Sequence, residues 1–257
     1  MTDSEVTYQV TGHTAIITLN RPHVRNAVNA QMAKMIESYC DTADSDDHVW
    51  TVVVAAAGNA FCSGIDLNSV ASGGFRDVST ERGGFAGFVQ RKRTKPYIAA
   101  VDGPALAGGC EIALACDLVI ASEAATFGIP EVKRSLIAAA GGLMRLPQRL
   151  PRGVAMEMAL TGDPISASTA AGFGLVSEVV SPGQALNSAL GLAERINLNA
   201  PLAVRASRTA MLDALDAPDG DGWRICWRAA KSLFDTDDFR EGPTAYLEKR
   251  APEWKAR

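Results

Sequence analysis

The 257-residue chain predicts an α/β core followed by a helical C-terminal region. Three observations lead there. Short β-branched apolar runs alternate with a helical pattern through the first half. Glycine-bearing turns stand at the ends of those runs. From Gly141 onward the pattern is helical almost throughout, with the change near Pro147 to Pro151.

Val6–Val10 and Thr14–Leu19 read as two strands around a Gly12-His13 turn, and a helical pattern follows over Ala30–Asp44. Trp50–Ala56 is a β-branched apolar run of the kind that forms a buried strand. Ser72–Gly84 is polar, carries both charges and two Gly-Gly pairs, and predicts a mobile surface loop or a wall of a substrate pocket. Tyr97–Val101 is a further strand ending at the turn Asp102-Gly103-Pro104, with a helix from Gly108 through Cys116 and a strand over Leu118–Ala121. Helices are then expected at Gly142–Leu150, Arg152–Leu160, Ala167–Gly172, Gln184–Asn197, Leu202–Leu215 and Trp223–Asp235. In the last of these, Trp223, Cys226, Trp227, Ala230, Leu233 and Phe234 share one face, which reads either as intramolecular core or as a surface between subunits.

Composition excludes several classes. The chain is 47% apolar and 21% charged, with a net charge of -4 and no basic cluster, which argues against nucleic acid as a partner. No stretch is long and apolar enough for a membrane span, and Met1–Asn20 lacks the basic-then-apolar order of a signal peptide. The five cysteines, an odd number without a CxxC pair, argue against a disulfide framework and for a reducing cytoplasm. His13, His23 and His48 all fall in the first fifth of the chain, so a histidine triad or a histidine-bound metal has little support. No G-x-G-x-x-G opens a helix, and no nucleotide redox cofactor or metal is expected.

Chemistry concentrates at two glutamates, Glu111 and Glu131, each in a glycine-bearing, otherwise apolar segment: Ala107-Gly108-Gly109-Cys110-Glu111 and Phe127-Gly128-Ile129-Pro130-Glu131. Apolar surroundings raise a carboxyl pKa toward neutrality, the condition for exchanging protons near pH 7. Singly, each also reads as a carboxylate at the start of a helix, favoured by the dipole. Two strand-end loops, Phe61–Leu67 and Ala107–Gly109, carry glycines that let backbone approach a ligand. Should their free N–H groups converge, they form a two-donor cradle for a developing oxyanion. Either glycine turn taken alone is equally readable as plain structure.

Taken jointly, Leu19-Asn20-Arg21-Pro22 with Asn26-Ala27, Phe61-Cys62-Ser63-Gly64-Ile65-Asp66-Leu67, Ala105–Glu111 and Phe127–Glu131 occur in the order and spacing of the enoyl-CoA hydratase/isomerase, or crotonase, family. Glu241–Arg250 is also similar to that family's C-terminal segment, so the resemblance covers nearly the whole chain. It implies a crotonase-like spiral of repeated ββα units over residues 1–195 and a helical trimerisation region over 196–257, in a homotrimer or a hexamer built as a dimer of trimers. It implies an acyl-CoA thioester as substrate, with coenzyme A entering as part of it and no separate cofactor. The thioester carbonyl would sit between the backbone N–H groups of Ile65 and Gly108, and the acid/base glutamates of the hydratases fall on Glu111 and Glu131. By the same resemblance, Ser63, Ile65, Asp66 and Gly108 would line the coenzyme A path, with Arg25 and Lys249 as candidates for its phosphates.

The implied reaction is reversible addition of water to a 2-enoyl-CoA. Glu111 would deprotonate the water and Glu131 would protonate C2. Other outcomes stay open on the same fold: a double-bond isomerase, for which one glutamate suffices, a carnitinyl-CoA-type dehydratase with a polar acyl group, a catalytically silent acyl-CoA-binding protein, and hydrolysis or decarboxylation on the same oxyanion cradle. One departure falls after Glu131, where Ile137-Ala138-Ala139-Ala140 precedes Gly141-Gly142 in place of the proline-glycine pair of many members. With Lys133 and Arg134, it leaves the acyl group unassigned.

Overall fold

The computed structural model describes residues 4–67, 77–215 and 217–257. Strands β1 (Val6–Thr11) and β2 (Thr14–Leu19) form an antiparallel hairpin at the sheet edge, where β1 alternates polar and apolar residues and shows most of them to solvent. Helix α1 (Ala30–Ser45) follows, started by the Asn29 side chain accepting from the Met32 N–H at 2.8 Å. Strand β3 (Thr51–Ala56) is buried on both faces, as its valine run requires of a central parallel strand. A two-stranded hairpin, β4 (Ser79–Thr80) and β5 (Gly84–Phe85), stands where a loop is expected, with Val78 buried beneath it. The portion of that expected loop over residues 72–76 lies outside the described residues.

The middle of the chain repeats one unit. Strand β6 (Tyr97–Val101) joins the large sheet, β7 (Ala105–Leu106) joins a small one, and α2 (Gly108–Ala115) closes the turn. Strand β8 (Leu118–Ser122) again enters the large sheet and β9 (Thr126–Gly128) the small one, before a 3-10 turn at Pro130–Arg134 and helices α3 (Gly142–Arg149) and α4 (Arg152–Thr161). Then come β10 (Ile165–Ser166), α5 (Ala167–Gly172), β11 (Glu178–Val180), α6 (Ala185–Asn197), α7 (Pro201–Ala214), α8 (Asp219–Lys231) and α9 (Asp237–Glu248). The large sheet runs β1-β2-β3-β6-β8-β11, parallel from β2 onward, and the small sheet runs β10-β9-β7. Alternate deposition of strands in two sheets is the ββα spiral.

One face of the large sheet packs with α1, α2 and the small sheet in the main core. The other packs Ile16, Val53, Ile98 and Ile120 under Ala185, Ala189 and Ala193 of α6, whose alanine stripe lets the helix lie close to the strands. Among the described residues neither cluster extends past Ile196. The face of α8 does not serve as intramolecular core: Trp223 is 71% and Trp227 60% exposed, and Phe234 is exposed as well. The expected helix Trp223–Asp235 begins four residues earlier, at Asp219, because Pro218 and two aspartates in the first turn supply a start that Gly220 and Gly222 disguise. Helix α9 was not expected from periodicity, since Gly242-Pro243 interrupts it; Thr236 caps it by accepting from the Phe239 N–H at 3.1 Å.

Candidate active site

Three backbone segments meet at the ends of β3, β7 and β9. Leu106 N–H donates to Cys62 O at 2.9 Å, and Ala107 N–H donates to Gly128 O at 2.9 Å, so the 105–108 segment is held between the other two. The approach is too close for side chains. A Cβ on Gly109 would lie 2.1 Å from Cys62 O, and one on Gly64, whose φ is +95°, would lie 2.8 Å from Ala107 Cβ and 3.1 Å from Gly108 N. Ala107 itself has φ 52° and ψ -128°, a conformation unfavourable for a residue with a Cβ, and it turns the chain directly into α2.

That geometry leaves two donors free. Val28 N–H donates to Gly64 O at 2.8 Å and Asp66 N–H to Val28 O at 2.9 Å, bracketing Ile65 without using its own N–H. Gly108 is the first residue of α2, where no intrahelical acceptor exists. Among the described residues neither the Ile65 nor the Gly108 N–H has an acceptor, and Gly64 lies against Gly108 N. Two uncommitted amides on apposed loops, one of them at a helix N-terminus, are a place for developing negative charge. The Phe85 ring of the β4–β5 hairpin covers Gly108, with a ring carbon 2.4 Å from where a Cβ would stand.

Glu111 is buried one turn into α2, yet its carboxylate does not serve its own helix. It accepts the Gly142 N–H at 2.9 Å, an unpaired donor from the first turn of α3, and the Ala140 backbone also faces it. Burial pushes its pKa up from 4.5 to about 7. The two backbone groups and Arg145 oppose that rise, and the Glu131 charge adds to it. Glu131 follows Pro130 in the 3-10 turn, is half-buried, and is raised by burial, with its own backbone N–H opposing. Its Oε2 is buried and has no hydrogen-bond partner among the described residues. Both carboxyls act on the buried Cys110 thiol, whose pKa is raised chiefly by burial and further by Glu111 and Glu131. The two glutamates thus share one end of α2.

The remaining sequence candidates divide. Ser63 and Ile65 are half-buried on the Cys62–Asp66 loop, and Ser63 N–H donates to the Arg25 carbonyl at 3.1 Å, which places the exposed Arg25 beside that loop. Asp66 is buried and ion-paired with Arg21 at 2.9 Å. Arg21 also donates to Ala27 O at 2.7 Å, while its backbone N–H is held by the fully buried Asn26. That network supports the loop presenting Ile65. Lys249 does not join the others: it is the exposed, left-handed cap of α9, and no hydrogen bond or ion pair links it to the cleft within the described residues. Phe85, Gly142 and Ala107 went unassigned from sequence. Only Gly142 had a visible signal, as half of a glycine pair.

Two free backbone amides thus lie near one buried and one half-buried carboxyl, on a ββα spiral. Residues 10–257 match the enoyl-CoA hydratase/isomerase family model, and the chain belongs to that family. It is 39% identical over 251 residues to an enoyl-CoA hydratase of Mycobacterium tuberculosis, covering 96% of this chain and 94% of the relative. A carnitinyl-CoA dehydratase of Salmonella arizonae is 38% identical over 246 residues, covering 93% and 94%. A crystal structure of enoyl-CoA hydratase from Mycobacterium tuberculosis H37Rv superposes with a TM-score of 0.94 at 42% identity, over 98% of this chain and 99% of that one.

Proposed function

We propose that this chain is an enoyl-CoA hydratase that adds water reversibly across the double bond of a 2-enoyl-CoA thioester. The observation that carries the reading is the pair of unused amides, Ile65 N–H and Gly108 N–H, set beside two carboxyls of raised pKa. As water adds to C3, charge moves onto the thioester oxygen, and each donor aimed at it is worth about 3 kcal/mol in the transition state. Glu111 takes the base role because backbone amides favour its anion, and with its pKa near 7 it is substantially ionised at neutral pH. Glu131 takes the acid role. Its Oε2, without a partner among the described residues, lacks the donors that would stabilise an anion, and when protonated the carboxyl delivers its proton to C2. The water proton accepted by Glu111 then returns to Glu131 before the next turnover.

Coenzyme A enters as part of the substrate, and no separate cofactor or metal has a role in these steps. Ser63, Ile65 and Asp66 supply its path by backbone, with Arg25 beside them for a phosphate. Lys249 has a place in that path only if a neighbouring subunit brings α9 to it. The exposed Trp223, Trp227 and Phe234 support a homotrimer or a dimer of trimers in which residues 196–257 bury this face between copies. The cytoplasm suits four buried free thiols. A second reading, dehydration of a polar 3-hydroxyacyl-CoA, is favoured by the carnitinyl-CoA dehydratase relative.

The test is loss of the conjugated thioester absorbance with crotonyl-CoA and a longer 2-enoyl-CoA, beside Glu111→Gln and Glu131→Gln. Turnover in the natural protein and its loss by orders of magnitude in both variants is the expected result. Binding without hydration overturns the reading and moves the dehydratase, isomerase or silent binder ahead.

A further inference from the structure

Arg145 is half-buried in the first turn of α3 and, among the described residues, makes no ion pair at salt-bridge distance. Its guanidinium folds back over the helix start, donating to Val89 O at 2.6 Å and, at the longer distance of 3.4 Å, to Ala140 O. Gly141 makes room for it: a Cβ there would lie 2.0 Å from Nη1. The guanidinium therefore ties the 140–142 turn to the segment after the β4–β5 hairpin. That turn is the one whose Gly142 N–H rests on Glu111 Oε1.

We propose that Arg145 is a positioning residue for Glu111, fixing the turn that presents the Gly142 amide and supplying a positive charge that holds the buried carboxyl in its basic form. The inference rests on the hydratase reading. The charged surroundings single out Glu111. The leading charged influences on Arg145 among the described residues are Arg93, Glu111, Arg149 and Cys116, and the carboxyl in that set is Glu111. Arg93 and Arg149 are each spoken for by carbonyls at the end of α2, Ala115 O for one and Cys116 O for the other. On the Glu111 side the groups are Glu131 and Arg145, with Cys110 on its own helix. Removing Arg145 takes from the Glu111 anion the opposite charge that favours it.

Two variants separate charge from shape. Arg145→Gln keeps a donor for the Val89 carbonyl and removes the charge, whereas Arg145→Lys keeps the charge and loses the fork. In Arg145→Gln the acid limb of kcat/KM moves to higher pH by about half a unit, Arg145 being one of several groups acting on Glu111. That shift is a loss of about threefold below the limb which closes at high pH. Arg145→Lys holds the limb near its natural position. A readout without catalysis accompanies this one: unfolding midpoints at pH 5 and pH 8 for both variants, in the natural and the Glu111→Gln backgrounds. Arg145→Gln is expected to lower the midpoint more at pH 8 than at pH 5, and the excess is expected to vanish with Glu111→Gln. An equal loss at both pH values and in both backgrounds would show a purely structural tether and overturn the proposal. Should the natural protein hydrate no enoyl thioester, the hydratase reading fails while the midpoint cycle still decides the role of Arg145.

Discussion

Replacing Glu111 with glutamine is expected to abolish turnover and, at the same time, to make the protein more stable at neutral and alkaline pH. The folded state raises the Glu111 pKa from 4.5 to about 7 because burial outweighs the Gly142 and Ala140 backbone contacts. Between those two values the folded chain binds more protons than the unfolded chain, so stability falls as pH rises through this window and is flat beyond it. A shift of that size corresponds to about 3 kcal/mol lost to the buried charge by pH 8. Glutamine removes the charge and keeps an oxygen for the Gly142 N–H, but its amide group needs an acceptor, which returns about 1 kcal/mol. The net gain is about 2 kcal/mol, or roughly 4 to 8 °C for a domain of this size. The assay is the unfolding midpoint of both proteins across pH 4.5 to 8.5. The difference between them should grow through the window and level off above pH 7, since Glu131 is present in both. If the two curves run parallel, or if the variant is the less stable at pH 8, the helix start has won over burial, and the raised pKa that underlies the base assignment is wrong.

Glu131→Gln is expected to lower kcat by at least about a hundredfold with KM little changed, because its proton moves only in the transition state; steady-state kinetics with a saturating enoyl-CoA read this directly. Gly109→Ala forces a Cβ to within 2.1 Å of the Cys62 carbonyl, parting the two oxyanion loops. A loss of about 3 kcal/mol in transition-state stabilisation, roughly a hundredfold or more in kcat/KM, is the expected outcome. Trp223→Glu with Trp227→Glu places charges on the exposed α8 face and should shift the sedimentation profile toward monomer without disturbing the core clusters, which hold neither residue. An unchanged profile would remove that face from the assembly.

What the sequence made legible and what it hid follow one physical division. Elements whose own residues decide their state were readable: the valine run of β3, the helix expected over Ala30–Asp44 and found over Ala30–Ser45, and the glycine turns at 64 and 108–109 that let backbones touch. Pairs such as β7 with β9 are two or three residues long and carry no period, because they are stabilised by contact across the spiral rather than by any pattern along the chain. The exposed apolar face of α8 shows the same limit, since an apolar stripe states that a face is to be buried but not by what. The candidate site obeys this division most sharply. Glu111 and Glu131 announce themselves by standing in apolar, glycine-bearing segments, and the structure gives both a carboxyl pKa raised by burial. The difference between their surroundings was not legible. Glu111 accepts the Gly142 N–H, 31 residues further on, while Glu131 has a buried Oε2 without a partner among the described residues. The difference between these two chemically identical groups is therefore set by which of them the next helix points at. That information exists only once α3 has docked on α2.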